Sequence, residues 1–136
     1  MARHPRDAGI SMVTIKLLNM ISGFQAQTEP LTEYERDTLL PVICRGLRNK
    51  VGEAKAITNT AITRAMKGAG YQLTEARLRK IINHIRTTGM IRWLIATNKG
   101  YYIATNRQEM EDYIVSLRGR EDAIRAVRES MERQLN

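Results

Sequence analysis

The sequence predicts a mainly α-helical fold with one small β-hairpin and a long C-terminal helix. Three observations carry this. Apolar residues recur at helical spacing over most of the chain from Leu31 onward. Between Met90 and Ile103 that pattern gives way to two short apolar runs around Asn98-Lys99-Gly100, residues suited to a tight turn. From Arg107 onward a seven-residue apolar repeat replaces both.

Residues 1–30 form an N-terminal extension. Ile10, Val13, Leu17, Met20 or Ile21, and Phe24 have the spacing of one short helix that would dock on the domain or on a partner. The residues before Met12 read as a leader, and Gln25 to Pro30 as a linker. Arg3 and Arg6 ahead of this stretch give it a slight likeness to a secretion signal. Lys16 and Asn19 interrupt the apolar run, and no small-residue cleavage site follows cleanly.

Residues 31–106 hold the domain proper. Thr32 and Glu35 have capping-box spacing, so the first helix should begin there and run to about Arg48, with Tyr34, Leu40, Ile43 and Leu47 as its core stripe. Pro41 lies inside it and should kink or split it, since proline lacks the N–H donor and its ring crowds the preceding turn. A loop containing Gly52 follows. Ile57-Thr58 and Leu73-Thr74 then repeat one device, a threonine N-cap preceded by an apolar residue that can staple to Ile62 or Leu78. They predict a second helix over Asn59 to Gly68, with Ala61, Ile62, Ala65 and Met66 inward, and a third starting after Thr74. The tight connection Gly70 to Leu73 makes the pair a helix-turn-helix. Gly89 should end the third helix. A strand from Met90 to Thr97 and a return strand over Tyr101, Tyr102 and Ile103 complete the hairpin, with the two tyrosines on opposite faces.

Residues 107–136 read as one long helix. Met110, Leu117, Ile124 and Met131 recur every seven residues, and Tyr113 and Val127 occupy the second seam position, interrupted by Arg120 and Gln134. This pattern suggests a coiled-coil seam with a second copy of the chain, and Met110, Tyr113, Leu117, Ile124, Val127 and Met131 are its candidate dimerisation residues. The alternative is a helix that bends at Gly119 and folds back on its own domain. The repeat keeps its phase across Gly119, which favours one continuous helix.

Charge indicates what the domain touches. The 136 residues carry a formal net charge of +8, with a pI near 10.1. Residues 107–136 hold six arginines and seven acids, a net −1, which leaves +9 on residues 1–106. A basic body suits a polyanion. On a wheel at 100° per residue, Leu78, Ile81, Ile82 and Ile85 share one sector of the third helix, and Ala76, Lys80, Asn83 and Thr87 lie opposite. Arg79 and Arg86 flank that outer sector on one side, Arg77 and His84 on the other, and Glu75 is the sole acid. Arginine or lysine can donate to guanine O6 and N7, asparagine can pair with adenine, and threonine can contact the thymine methyl. Lys99 at the hairpin tip and Arg92 before it are placed to meet phosphates, which position a protein without reading sequence.

The helix "TEARLRKIINHIR" and the hairpin "KGYYIAT" resemble the winged helix-turn-helix superfamily over about Leu31 to Ala104, and more narrowly small, poorly characterised winged-helix proteins of phages and mobile elements. The resemblance implies that the third helix enters the major groove of double-stranded DNA. The expected DNA-binding residues are therefore Arg77, Arg79, Lys80, Asn83, His84, Arg86, Thr87, Arg92 and Lys99. The expected role is a transcriptional regulator or a replication accessory factor, acting as a homodimer. The alternative is a winged-helix adaptor whose basic surface meets an acidic protein partner. RNA binding fits less well, because no aromatic stacking platform is evident.

Other function classes find little in the chain. His4 and His84 are far apart, no Cys/His spacing suits zinc, and neither a phosphate-cradling glycine loop nor a serine in a nucleophile setting is present. No enzyme activity, metal or cofactor is expected. Cys44, the one cysteine, sits in an apolar helical run, as a buried structural thiol would. The chain suits a reducing cytoplasm, and no apolar run is long enough to span a membrane.

Overall fold

The computed structural model describes residues 29–136, so the expected N-terminal helix over Ile10 to Phe24 lies outside the described residues. Among the described residues the chain is mainly helical, with four α-helices and one two-stranded antiparallel hairpin.

The first helix solves the Pro41 problem without a break. Thr32 and Glu35 form the reciprocal box: Thr32 N donates to Glu35 Oε1 at 2.8 Å and Glu35 N to Thr32 Oγ1 at 3.1 Å. A wide π-helical turn, Glu35–Leu39, comes next, in which Leu40 N donates to Glu35 O, and α1 (Leu40–Leu47) continues from it. Pro41 follows directly on the π turn, whose wider winding accommodates a residue with no N–H to donate to the preceding turn. The core stripe also differs from the expected one. Tyr34 is 43% exposed, and its hydroxyl accepts from Gln72 N at 3.3 Å, while Leu39 and Cys44 join Leu40, Ile43 and Leu47 inside.

A short 3-10 turn (Glu53–Lys55) leads to α2 (Asn59–Gly68) and α3 (Glu75–Thr88). Both threonine caps form: Thr58 Oγ1 accepts from Ala61 N at 3.1 Å and Thr74 Oγ1 from Arg77 N at 3.2 Å. α2 buries Ile62 and Met66 as expected, but its third buried side chain is Thr63, while Ala61 and Ala65 stay exposed. Thr63 is admitted because its hydroxyl donates to Asn59 O at 2.9 Å, which removes the cost of an unpaired polar group. Gly89 caps α3 in the left-handed conformation.

The first strand is shorter than expected. Residues 91–93 form a turn, and β1 (Leu94–Thr97) pairs with β2 (Gly100–Ile103) in the register Leu94 to Ile103 through Thr97 to Gly100. The delay has a local cause: Trp93 has φ +65, a conformation no strand accommodates. Within the Asn98-Lys99-Gly100 turn only Gly100 takes a positive φ. It is also the residue for which no side chain fits, because an added Cβ would lie 2.5 Å from both the carbonyl carbon and oxygen of Ile57. That close approach lets Ile57 bridge Tyr101 through two backbone bonds, of 3.1 and 2.8 Å. Tyr102 is buried and Tyr101 partly exposed, one on each face.

The core is centred on α3. Leu78, Ile81, Ile82 and Ile85 are each 2% exposed or less and pack with the α1 residues, with Ile62 and Met66 of α2, and with Leu73, Ile91 and Leu94. Burying each such side chain is worth roughly 1.5–3 kcal/mol. Asn106 caps α4 (Arg107–Gln134), which runs unbroken through Gly119.

Candidate nucleic-acid interface

The core fixes how α3 is turned, and so which of its polar residues reach solvent. Asn83 and Thr87 are exposed and Lys80 half-buried on the side away from the quartet of aliphatic residues, with exposed Arg79 beside them. Among the described residues the side chains of Arg79, Lys80 and Asn83 make no hydrogen bond or ion pair. Thr87 turns its hydroxyl back to Asn83 O at 2.8 Å, which leaves its methyl outward. His84 is half-buried beside Thr88, whose hydroxyl donates to His84 O at 2.6 Å.

Two of the arginines grouped with them by sequence do structural work instead. Arg77 grips Glu35 through two parallel bonds, Nε to Oε2 at 2.7 Å and Nη2 to Oε1 at 2.6 Å, with the pair's side chains only 15% and 8% exposed. It also donates to the carbonyls of Glu29 and Pro30, at 3.0 and 2.9 Å. The Arg77 guanidinium holds the Glu35 carboxyl below the usual carboxylate range, against the opposing effect of burial, and Glu35 in turn raises Arg77. Arg77 thus faces the chain entering the first helix and not the outer sector. The reason is angular: it lies at the edge of the wheel nearest that helix.

Arg86 points to the opposite edge, where β1 and α4 meet. Its Nε donates to Leu94 O at 3.3 Å and its Nη2 to the Tyr113 hydroxyl at 2.5 Å, with the guanidinium 5.6 Å from that ring's centre. Tyr113 Oη also donates to Ala96 O at 3.2 Å and accepts from Ala96 N at 3.4 Å. Tyr113 therefore docks the start of α4 on its own hairpin, which takes it out of the expected dimer seam. Met110 is half-buried beside it. Farther along, Leu117, Ile124, Val127 and Met131 are all exposed.

The remaining predicted contacts lie around the hairpin. Lys99 pairs with Glu53 at 2.7 Å, which raises the lysine's pKa; both groups are exposed, and such a surface pair is readily exchanged. Arg92 is exposed and stacks on Trp93, 4.8 Å from the ring centre.

Sequence reasoning did not anticipate the cleft beside α3. It has a volume of about 630 Å³ and lies between the start of α2, the hairpin and α4, where Asn59, Arg79, Tyr101 and Arg120 meet. Asn59 Nδ2 donates to the Tyr101 hydroxyl at 2.9 Å, and Glu75, the one acid on the cleft wall, accepts from the Thr60 hydroxyl at 2.8 Å. Arg120 had appeared only as an interruption of the apolar repeat. Compared with protein-family models, curated proteins and solved structures, the chain matches none.

Among the described residues no group of three His, Cys, Asp or Glu side chains could hold a metal ion. Cys44 is buried, and burial pushes its thiol pKa up, away from a reactive thiolate. None of the described helices is long and apolar enough to cross a membrane.

Proposed function

We propose that this chain is a winged helix-turn-helix protein that binds double-stranded DNA, with α3 as the recognition helix and the β1–β2 hairpin as a short wing. The observation that carries the reading is the outer face of α3. Lys80, Asn83 and the Thr87 methyl stand in line with Arg79 beside them, unpaired among the described residues, on a helix whose other side is locked in the core. These groups can read base edges in the major groove. The element order supports the fold assignment, since α1, a short bridge at Ile57, α2, α3 and the hairpin follow in sequence, with the Ile57 segment paired to β2. Arg79, Lys80, Arg92 and Lys99, once released from Glu53, supply the phosphate contacts. Arg77 and Arg86 hold the helix in place.

The role is that of a transcriptional regulator or a replication accessory factor of the phage or mobile-element type, acting as a homodimer. The exposed stripe Leu117, Ile124, Val127 and Met131 keeps the seven-residue repeat and offers a second copy an apolar seam. Two recognition helices would then meet two half-sites.

Selection of the purified protein on a random double-stranded DNA pool tests the reading. Enrichment of a palindrome supports sequence-specific dimeric binding, and Asn83→Ala should then relax the preference at one base pair by about 1–3 kcal/mol. No retention of DNA at low salt would overturn it and turn the basic face toward an acidic protein partner.

A further inference from the structure

We propose that Arg120, on α4, is a DNA-backbone contact, so that the N-terminal half of α4 forms one wall of the binding surface. This rests on the DNA reading of α3 and extends it to an element whose sequence pattern speaks only of self-association.

The arginines of α4 differ in what surrounds them. Arg107 pairs with Glu111, Arg125 with Glu121 and Asp122, and Arg128 with Glu132, all at helical spacing along the same helix. Arg120 has no acid at that spacing: the residues three and four away are Ser116, Leu117, Ala123 and Ile124. Its charge is instead steered back toward the domain. Arg120 Nη2 donates to Ser116 Oγ at 3.4 Å, and the guanidinium lies 5.9 Å from the centre of the Tyr113 ring. Arg86 approaches the same ring at 5.6 Å. No carboxylate pairs with either guanidinium among the described residues.

Arg79 projects into this cleft from α3, so the cleft gathers two arginines, Arg79 and Arg120, against the single acid Glu75. The Tyr101 hydroxyl accepts from Asn59, which leaves its own proton for an acceptor in the cleft. Guanidinium groups and a hydroxyl donor converging on a net positive cleft, next to the helix proposed to read bases, suit a phosphodiester oxygen.

Arg118 provides an internal control. It lies on the same helix and is exposed, but has Glu121 and Asp122 at helical spacing and does not line the cleft. The test compares wild type, Arg120→Gln, Arg120→Lys and Arg118→Gln by fluorescence anisotropy on a labelled duplex over a KCl series, with circular dichroism confirming that each is folded. Removing one phosphate contact should make the slope of log affinity against log salt shallower by about 0.9 and weaken binding roughly three- to tenfold at low salt. The expected result is that change for Arg120→Gln alone, with Arg120→Lys and Arg118→Gln close to wild type. If Arg120→Gln matches wild type, or both glutamine variants lose equally, the inference falls while the DNA reading stands. If the wild type fails to bind duplex DNA, both fall.

Discussion

Helices α3 and α4 are both amphipathic, but they satisfy their apolar faces in opposite ways. The four aliphatic residues of α3 are almost wholly enclosed by the same chain, whereas Ile124 on α4 is 70% exposed and Val127 and Met131 lie open beside it. α3 is therefore fixed in rotation as well as in place, which is what a reading surface needs. Past Tyr113, α4 is held by its own backbone and by pairs such as Arg125–Glu121 and Arg128–Glu132. Exposed pairs of this kind contribute only about 0.3–0.5 kcal/mol each. The contrast shows that periodicity reveals which face of a helix wants burial, while only packing reveals whether the chain itself provides it.

The sharpest way to break this contrast is to truncate one residue from each stripe. Ile85→Ala should cost about 2–5 kcal/mol in urea denaturation, from lost transfer energy and the cavity left behind. Ile124→Ala, at concentrations where the protein is monomeric, should stay within about 0.5 kcal/mol. Sedimentation of the same Ile124 variant at high concentration should show weaker self-association. Equal losses in dilute protein would mean that the α4 stripe is buried within the chain.

A second pair of variants sharpens the comparison within α3. Arg77→Ala should cost about 3 kcal/mol, because it leaves the Glu35 carboxylate enclosed without its partner, whereas Arg79→Ala should leave stability nearly unchanged and weaken DNA binding. The pair also sets an acid sensitivity. Glu35 has a lowered pKa in the folded chain, so its contribution is complete above the unfolded carboxyl pKa, near 4.3, and disappears as pH falls through the lower folded value. An acid titration of Arg77→Ala should show a correspondingly flatter loss of stability below pH ~4. A profile parallel to wild type would place the acid sensitivity elsewhere.

Gly100→Ala should destabilise by about 2 kcal/mol or more by thermal or urea unfolding, because it sets a Cβ against the Ile57 backbone at a φ of +122. A neutral result would mean that the bridge between Ile57 and Tyr101 can open without consequence. Tyr113→Phe should cost about 1 kcal/mol. Hydrogen exchange should then quicken in the first turns of α4 while α3 keeps its protection. Unchanged exchange in α4 would show that the Tyr113 hydroxyl does not secure the dock.

Much of this molecule is written in short stretches of its sequence. The caps at Thr32, Thr58 and Thr74, the stop at Gly89 and the turn ending in Gly100 each follow from residues within four positions of one another. Such interactions form wherever the chain goes. The division of labour among the arginines of α3 was not legible in the same way. A helical wheel assigns an angle to Arg77 and Arg86, but their partners Glu35 and Tyr113 lie 42 and 27 residues away. Nothing local distinguishes a guanidinium that will find a carboxylate from one that will meet water. The late start of β1, after Trp93, was equally hidden, because the positive φ of Trp93 runs against the preference of a bulky residue.

The sequence by itself determined the helices, the hairpin, the quartet that α3 buries and the outer line of Lys80, Asn83 and Thr87, because periodicity and capping are properties of neighbours along the chain. Only the tertiary structure decided that Arg77 and Arg86 brace the helix, that Tyr113 docks α4 on the hairpin, and that Arg120 faces a cleft shared with Arg79. Those outcomes depend on which distant groups arrive within hydrogen-bonding distance once the core has closed.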